Sequence, residues 1–234
     1  MMKYLRSLTD FVFPRYCEVC GKRLSMSERF LCVNCIRHLP RTNAYGSEEN
    51  PIERLFWYHL PIEKASSYLF YTEGHVKDLI HLYKYKGYPR LGEYLSRMMA
   101  LELKEKGFFD GIDAVVPIPI HWKKKMHRGY NQSDYIAHGI SSVTNIAVVS
   151  DAVKRIKNNK AQVDTSHMER KENVKDIFAV VKPDRIRNRH LLLVDDVITT
   201  GSTTMSCGME LAKVPGVKLS ILSIAYAGEK FLRT

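Results

Sequence analysis

The stretch Leu191 to Thr204, LLLVDDVITTGSTT, decides the reading of this 234-residue chain. Four consecutive apolar residues, Leu191 to Val194, make the run expected of a strand buried on both faces, as in a parallel sheet. Two adjacent acids, Asp195 and Asp196, stand at its carboxyl end. Thr199, Thr200, Gly201, Ser202 and Thr203 then form a loop leading into a helix expected over Thr203 to Lys213. Amides at a helix N-terminus, joined by these hydroxyls, can surround a phosphate whose charge the helix dipole favours. Gly201 lets the main chain approach closely. The paired carboxylates lie one phosphate-to-sugar length away, suited to vicinal ribose hydroxyls, and a hydroxyl pair or a cation relieves their repulsion. A plain helix cap would need one Ser or Thr and would leave the paired acids unexplained.

Apolar periodicity on either side alternates between strands and helices. Ala65 to Tyr71, Ala114 to Pro119 and Val217 to Tyr226 read as strands; His75 to Tyr85, Leu91 to Lys106 and Ser133 to Val143 read as helices. This alternation predicts an α/β fold, a parallel sheet with flanking helices, whose ligands sit beyond the carboxyl ends of the strands. Cys207 lies within the last helix and reads as a small core residue rather than a nucleophile.

Four cysteines form two C-x2-C knuckles, Cys17/Cys20 and Cys32/Cys35, separated by 11 residues. Each knuckle turns two thiolates toward one point, and two knuckles complete a tetrahedral four-sulfur site for structural Zn2+. Gly21 supplies a residue free to take positive φ after the first knuckle. Two disulfides or four unrelated thiols are the competing readings; a reducing compartment weighs against the first. A segment of this size buries too little to fold unaided, so metal takes the place of a core. The polar stretch Arg41 to Pro51, RTNAYGSEENP, reads as a linker or exposed loop.

Thirty-six Lys and Arg against 25 Asp and Glu give a formal charge of +11, which favours phosphate-bearing, nucleic-acid or anionic-surface partners without choosing among them. Between His121 and Lys160, eight Lys and Arg face only Asp134 and Asp151. Tyr83, Tyr85, Tyr88, Trp122 and Tyr130 lie near basic residues and could stack bases or serve the core. Met1 to Pro14 lacks the form of an export signal, and the longest uncharged stretch, Tyr135 to Ser150, is too short and polar to span a bilayer. The expected location is the cytoplasm.

Val194 to Thr203 resembles the phosphoribosyl-pyrophosphate (PRPP) signature of type I phosphoribosyltransferases. The knuckles, Lys84-Tyr85-Lys86-Gly87, Val116-Pro117-Ile118-Pro119 with His121, and Arg128 to Ser133 then resemble the ComF family of competence-associated, phosphoribosyltransferase-like proteins. So does Lys154 to Asn158 with Gln162, Arg170, Asn173 and Phe178, so the resemblance covers nearly the whole chain. It implies a zinc-binding module at 1–45 and a phosphoribosyltransferase-like domain at 46–234, with a hood within 46–110. It also implies PRPP held by Asp195 and Asp196 on ribose, Thr199 to Thr203 on the 5'-phosphate, and Val116, Pro117 and Ile118 on pyrophosphate. A lid over Lys154 to Arg170 would add Arg155, Lys157 and Gln162 as ligands. Asp195 and Asp196 would be the catalytic pair, Mg2+ would arrive with PRPP, and single-stranded DNA and a competence helicase would be partners. A non-catalytic PRPP sensor or DNA-handling factor is the alternative. Trp122 stands where Pro is frequent in the family and Asn159 where Thr is frequent. Thr199 stands where 6-oxopurine salvage enzymes have an Asp, and a hydroxyl cannot serve as a carboxylate base, which disfavours hypoxanthine or guanine as acceptor.

Overall fold

The computed structural model describes residues 13–71, 74–157 and 177–228. Gln162, Arg170, Asn173 and most of the expected lid lie outside the described residues. Among those described, five strands form a sheet in the order β1 (Lys64–Phe70), β7 (Lys218–Tyr226), β6 (His190–Ile198), β2 (Ala114–Pro117), β3 (Ala147–Val148). Every neighbouring pair in it is parallel. The fold class is the one expected, a parallel sheet with flanking helices.

Alternation along each strand divides the apolar side chains between two cores. Leu192 and Val194 of β6 and Leu222 and Ile224 of β7 pack with helices α3 (Val76–Tyr85), α4 (Pro89–Glu105) and α6 (Gln132–Thr144). Leu191 and Leu193, with Leu219 and Ile221, pack with α7 (Ser202–Ala212) and the segment holding α2 (Pro51–Arg54). α4 and α6 approach closely because Gly139 carries no Cβ; one placed there would lie 2.5 Å from the Glu93 carbonyl oxygen. Pro89 opens α4, where its missing N–H costs nothing.

Three differences from the sequence reading bear on function. β6 does not stop at Val194 but runs through both acids to Ile198, because Asp195 pairs with Ser223 and Val197 with Ala225 of β7. Arg41 to Pro51 is not a free linker: its ends lie against β1, where Thr42 N–H donates to the Tyr68 carbonyl, Phe70 N–H to the Pro40 carbonyl and Asn50 Nδ2 to the Ala65 carbonyl, while Gly46 to Glu49 between them are exposed as expected. There Arg41 pairs with Glu102 at 2.8 Å, and Tyr68 Oη donates to the same carboxylate at 2.6 Å. Finally, the chain between β2 and α6 holds a helix the pattern did not announce, α5 (Trp122–Arg128), capped by the His121 ring and ended by Gly129 in the left-handed region. A separate antiparallel ribbon, β4 (Val153–Arg155) with β5 (Phe178–Val180), stands beside α7.

The N-terminal knuckles pack onto this body. Leu24, Leu31 and Leu39 are buried in the same core as Leu91, Leu95 and Met99 of α4, and Phe30 meets the Tyr94 ring at 5.5 Å. A short helix, α1 (Val33–Arg37), begins at the second knuckle. Among the described residues no helix is long and apolar enough to cross a membrane.

Candidate functional site

The carboxyl end of β6 brings most of the sequence candidates together. Because consecutive residues in a strand face opposite sides, Asp195 and Asp196 diverge. Asp196 turns to the α3 side, only 4% exposed, with Oδ1 at 2.9 Å from Lys84 Nζ. Its Oδ2 is buried with no hydrogen-bond partner, as are Tyr83 Oη and Ser133 Oγ. Asp195 turns toward α7 and the ribbon, where it feels the Arg155 charge and adds to the burial that pushes the Cys207 thiol up. Burial pushes the Asp195 carboxyl up to about 7, the Asp196 charge adds to the shift, and Lys84 and Arg155 oppose it. Its Oδ1 accepts from the Asp196 amide at 2.8 Å.

Beyond β6, Thr199 and Thr200 are exposed, and Gly201 takes φ +72° as the N-cap of α7. No side chain caps this helix, so its first amides are left to a ligand or water. A Cβ at position 201 would lie 3.1 Å from the Phe56 ring, which backs the loop. Thr200 Oγ1 donates to Ser202 Oγ at 3.1 Å, and Thr203 lines the same recess with Asp195. The arrangement can hold a phosphate monoester at the helix terminus and sugar hydroxyls at the strand.

Val116, Pro117 and Ile118 lie alongside, since Pro117 registers with Val194 and Ile118 N–H donates to the Val194 carbonyl at 3.0 Å. All three side chains are buried, and the Ile118 carbonyl accepts from Asn131 Nδ2 at 3.2 Å. Pro119 and Ile120, half-buried, are where this stretch opens. Arg155 ends β4 with its guanidinium 5.5 Å over the Phe178 ring, whereas Lys157 is exposed. Cys207 is wholly buried, as a core residue would be.

Lys84 was not among the candidate ligands, although the Lys84-Tyr85-Lys86-Gly87 motif drew attention to it. It lies between Asp196 and a cleft of about 470 Å³ lined by Lys84, Tyr85, Gly87, Lys123, Lys124, His127, Arg128 and Tyr130. Arg128 stacks 4.9 Å over the Tyr85 ring and donates to Gln132 Oε1, while Tyr130 Oη donates to the Tyr83 carbonyl.

The four knuckle cysteines form the other candidate site. Their sulfurs all lie within 4.8 Å of one another, and none of the chain's cysteines is bridged. Cys20 Sγ and Cys32 Sγ are 3.7 Å apart, against about 3.8 Å for a tetrahedral shell built on Zn–S bonds of about 2.3 Å. Gly21 takes φ +66° and donates to the Cys17 carbonyl at 2.9 Å, closing the first knuckle as expected. The Cys32 amide points to Cys17 Sγ at 3.4 Å and the Cys35 amide to Cys32 Sγ at 3.5 Å. The donor set fits Zn2+, and a closed four-thiolate shell leaves no position for substrate.

No family model matches the chain. Among solved structures, glutamine PRPP amidotransferase from B. subtilis aligns with a TM-score of 0.36 at 18% identity, covering 56% of this chain and 25% of that one. Adenine phosphoribosyltransferase from Leishmania tarentolae aligns at 0.38 and 9% identity, covering 60% and 73%. Among curated proteins, competence protein F of Haemophilus influenzae is 26% identical over 219 residues, 92% of this chain and 86% of the relative. DNA utilization protein YhgH of Escherichia coli K12 is 30% identical over 190 residues, 80% of this chain and 79% of the relative. At that identity and coverage, the chain belongs to the ComF family, with competence protein F and DNA utilization protein YhgH.

Proposed function

We propose that this protein binds PRPP at the carboxyl end of β6 and transfers its phosphoribosyl group to an acceptor, in the service of DNA uptake or use. One observation carries the reading: an uncapped α7 N-terminus with Gly201 at φ +72° directly follows two carboxylates, one of them buried with an unpartnered oxygen. In this reading the amides from Ser202 onward, with Thr199, Thr200 and Thr203, hold the 5'-phosphate. Asp195 and Asp196 accept from ribose hydroxyls, and Arg155 with Lys157 faces pyrophosphate beside Val116 to Ile118.

A nucleophilic atom of the acceptor attacks C1' as the bond to pyrophosphate oxygen breaks, the bonding pair leaving with pyrophosphate. The protein's part is positioning and charge stabilisation. Among the described residues, the knuckle cysteines are the one group of three or more metal-ligating side chains. Mg2+ would be held mainly by ligand oxygens and would supply positive charge against the leaving pyrophosphate. Zn2+ in the cysteine shell is structural.

Titration calorimetry with PRPP and Mg2+, followed by a pyrophosphate-release assay with bases and oligonucleotides, tests the proposal. Binding with release that Asp195→Asn plus Asp196→Asn abolishes supports transfer. Binding without release under any acceptor leaves a PRPP-dependent DNA-handling protein. That second reading is favoured by the exposed Trp122 ring with Lys123 Nζ 5.5 Å from its centre, a pairing that single-stranded nucleic acid can stack on. No binding of PRPP overturns both.

A further inference from the structure

The cleft beside α3 gathers positive charge, of which only Lys84 meets a carboxylate among the described residues. Lys84 comes from the end of α3, Lys123, Lys124, His127 and Arg128 from α5, and Tyr85 and Tyr130 supply its aromatic walls. Among the described residues, no carboxylate forms an ion pair with Lys123, Lys124 or Arg128. Burial holds the Lys124 ammonium below its ordinary range, and the charges of Arg155, Arg128 and Lys84 push it further the same way. Concentrating like charges around a concave space costs free energy that a multiply charged anion would return. The volume suits a small ligand rather than a protein segment.

Lys84 belongs to this cleft and, at 2.9 Å, to Asp196. We propose that the cleft binds a condensed-phosphate chain and that Lys84, shared between that chain and Asp196, couples its occupancy to sugar binding at the strand end. The coupling rests on the reading of Asp196 as a ribose ligand; the cleft does not. Lys84 neutralises Asp196, whose Oδ2 has no hydrogen-bond partner. A phosphate chain draws Lys84 toward the cleft, and the carboxylate, short of donors, then takes sugar hydroxyls more tightly. By linkage the sugar strengthens the anion equally. The chain is either the pyrophosphate of the sugar donor itself or part of a separate di- or triphosphate.

Calorimetry on the full chain, with inorganic tripolyphosphate as the cleft probe, tests each part. Lys124→Gln plus Arg128→Gln is expected to weaken tripolyphosphate at least tenfold with an unchanged melting temperature; unchanged affinity overturns the cleft. Saturating tripolyphosphate is expected to tighten ribose 5-phosphate by about five- to a hundredfold and to leave 2-deoxyribose 5-phosphate, which lacks the vicinal diol, little changed. Lys84→Met is expected to abolish this coupling and Lys84→Arg to retain it. Coupling that survives Lys84→Met, or is equal for both sugars, overturns the role of Lys84. If neither sugar phosphate binds, the PRPP reading and the coupling fall together, while the tripolyphosphate arm still decides the cleft. Competition between PRPP and tripolyphosphate assigns the chain to the donor; simultaneous binding assigns it to a second ligand.

Discussion

The cysteine module and the end of β6 both collect groups that are costly to bury, and they dispose of them in opposite ways. Around the knuckles four sulfurs converge within 4.8 Å, with backbone amides directed at Cys17 and Cys32. At the strand end two carboxylates diverge across the sheet, and Asp196 Oδ2, Tyr83 Oη and Ser133 Oγ are buried without partners. A closed shell converts ligand chemistry into folding free energy. An open set of unmet donors and acceptors is a reserve that a ligand can use. The contrast suits the N-terminal region to stability and, in the proposed reading, the strand end to recognition.

The largest expected effect breaks the first half of that contrast. Removing Zn2+ with a chelator, or Cys20→Ser, should free Leu24, Leu31 and Leu39 from the α4 core and cost ~3 kcal/mol or more, a fall of ~10 °C in Tm for a chain of this size. Scanning calorimetry with metal returned afterwards checks it; an unchanged Tm would mean the knuckles hold by packing alone. Next, Gly201→Val meets both a φ of +72° and the Phe56 ring. It should cost ~1–3 kcal/mol of stability and lower affinity for ribose 5-phosphate at least tenfold, so that, unlike the cysteine result, binding suffers along with the fold.

A pH dependence sharpens the second half. Asp195 has its carboxyl pushed up from 3.8 to about 7, so the folded state holds that proton more tightly than the unfolded chain. Below pH ~4 both states are protonated and no cost appears. As pH rises from ~4 to ~7 the unfolded state ionises first and stability declines, levelling off once the folded state has ionised too. Melting curves across this window should show a decline that Asp195→Asn flattens, while the same substitution weakens sugar binding. A wild-type slope of the opposite sign would show that Lys84 and Arg155 outweigh burial at this carboxyl.

The strand, turn and helix around Asp195 were legible because Leu191 to Val194 is a continuous apolar run and Gly201 marks the turn. The cysteine site was legible because knuckle spacing is itself geometric. What could not be read locally depends on distant partners. β6 continues through two acids because Ser223 and Ala225 of β7 extend its ladder, which overrides the weak strand preference of Asp. Arg41 to Pro51 has the composition of a linker, yet its order comes from Glu102 and from the edge of β1. Lys84 could be singled out only with its motif in view, and its tie to Asp196 belongs to the tertiary arrangement of α3 over the sheet.

The small ribbon of β4 and β5 carries one further consequence. Arg155 and Phe178 face each other in register, so the chain departs from the body and rejoins it at neighbouring points. Such a stem is a pair of fixed gateposts: the path between them can lengthen or shorten across relatives at an entropic cost of only about 0.6 kcal/mol per doubling. Evolution can therefore change the length of the chain that joins β4 to β5 without shifting a single rung of the main sheet.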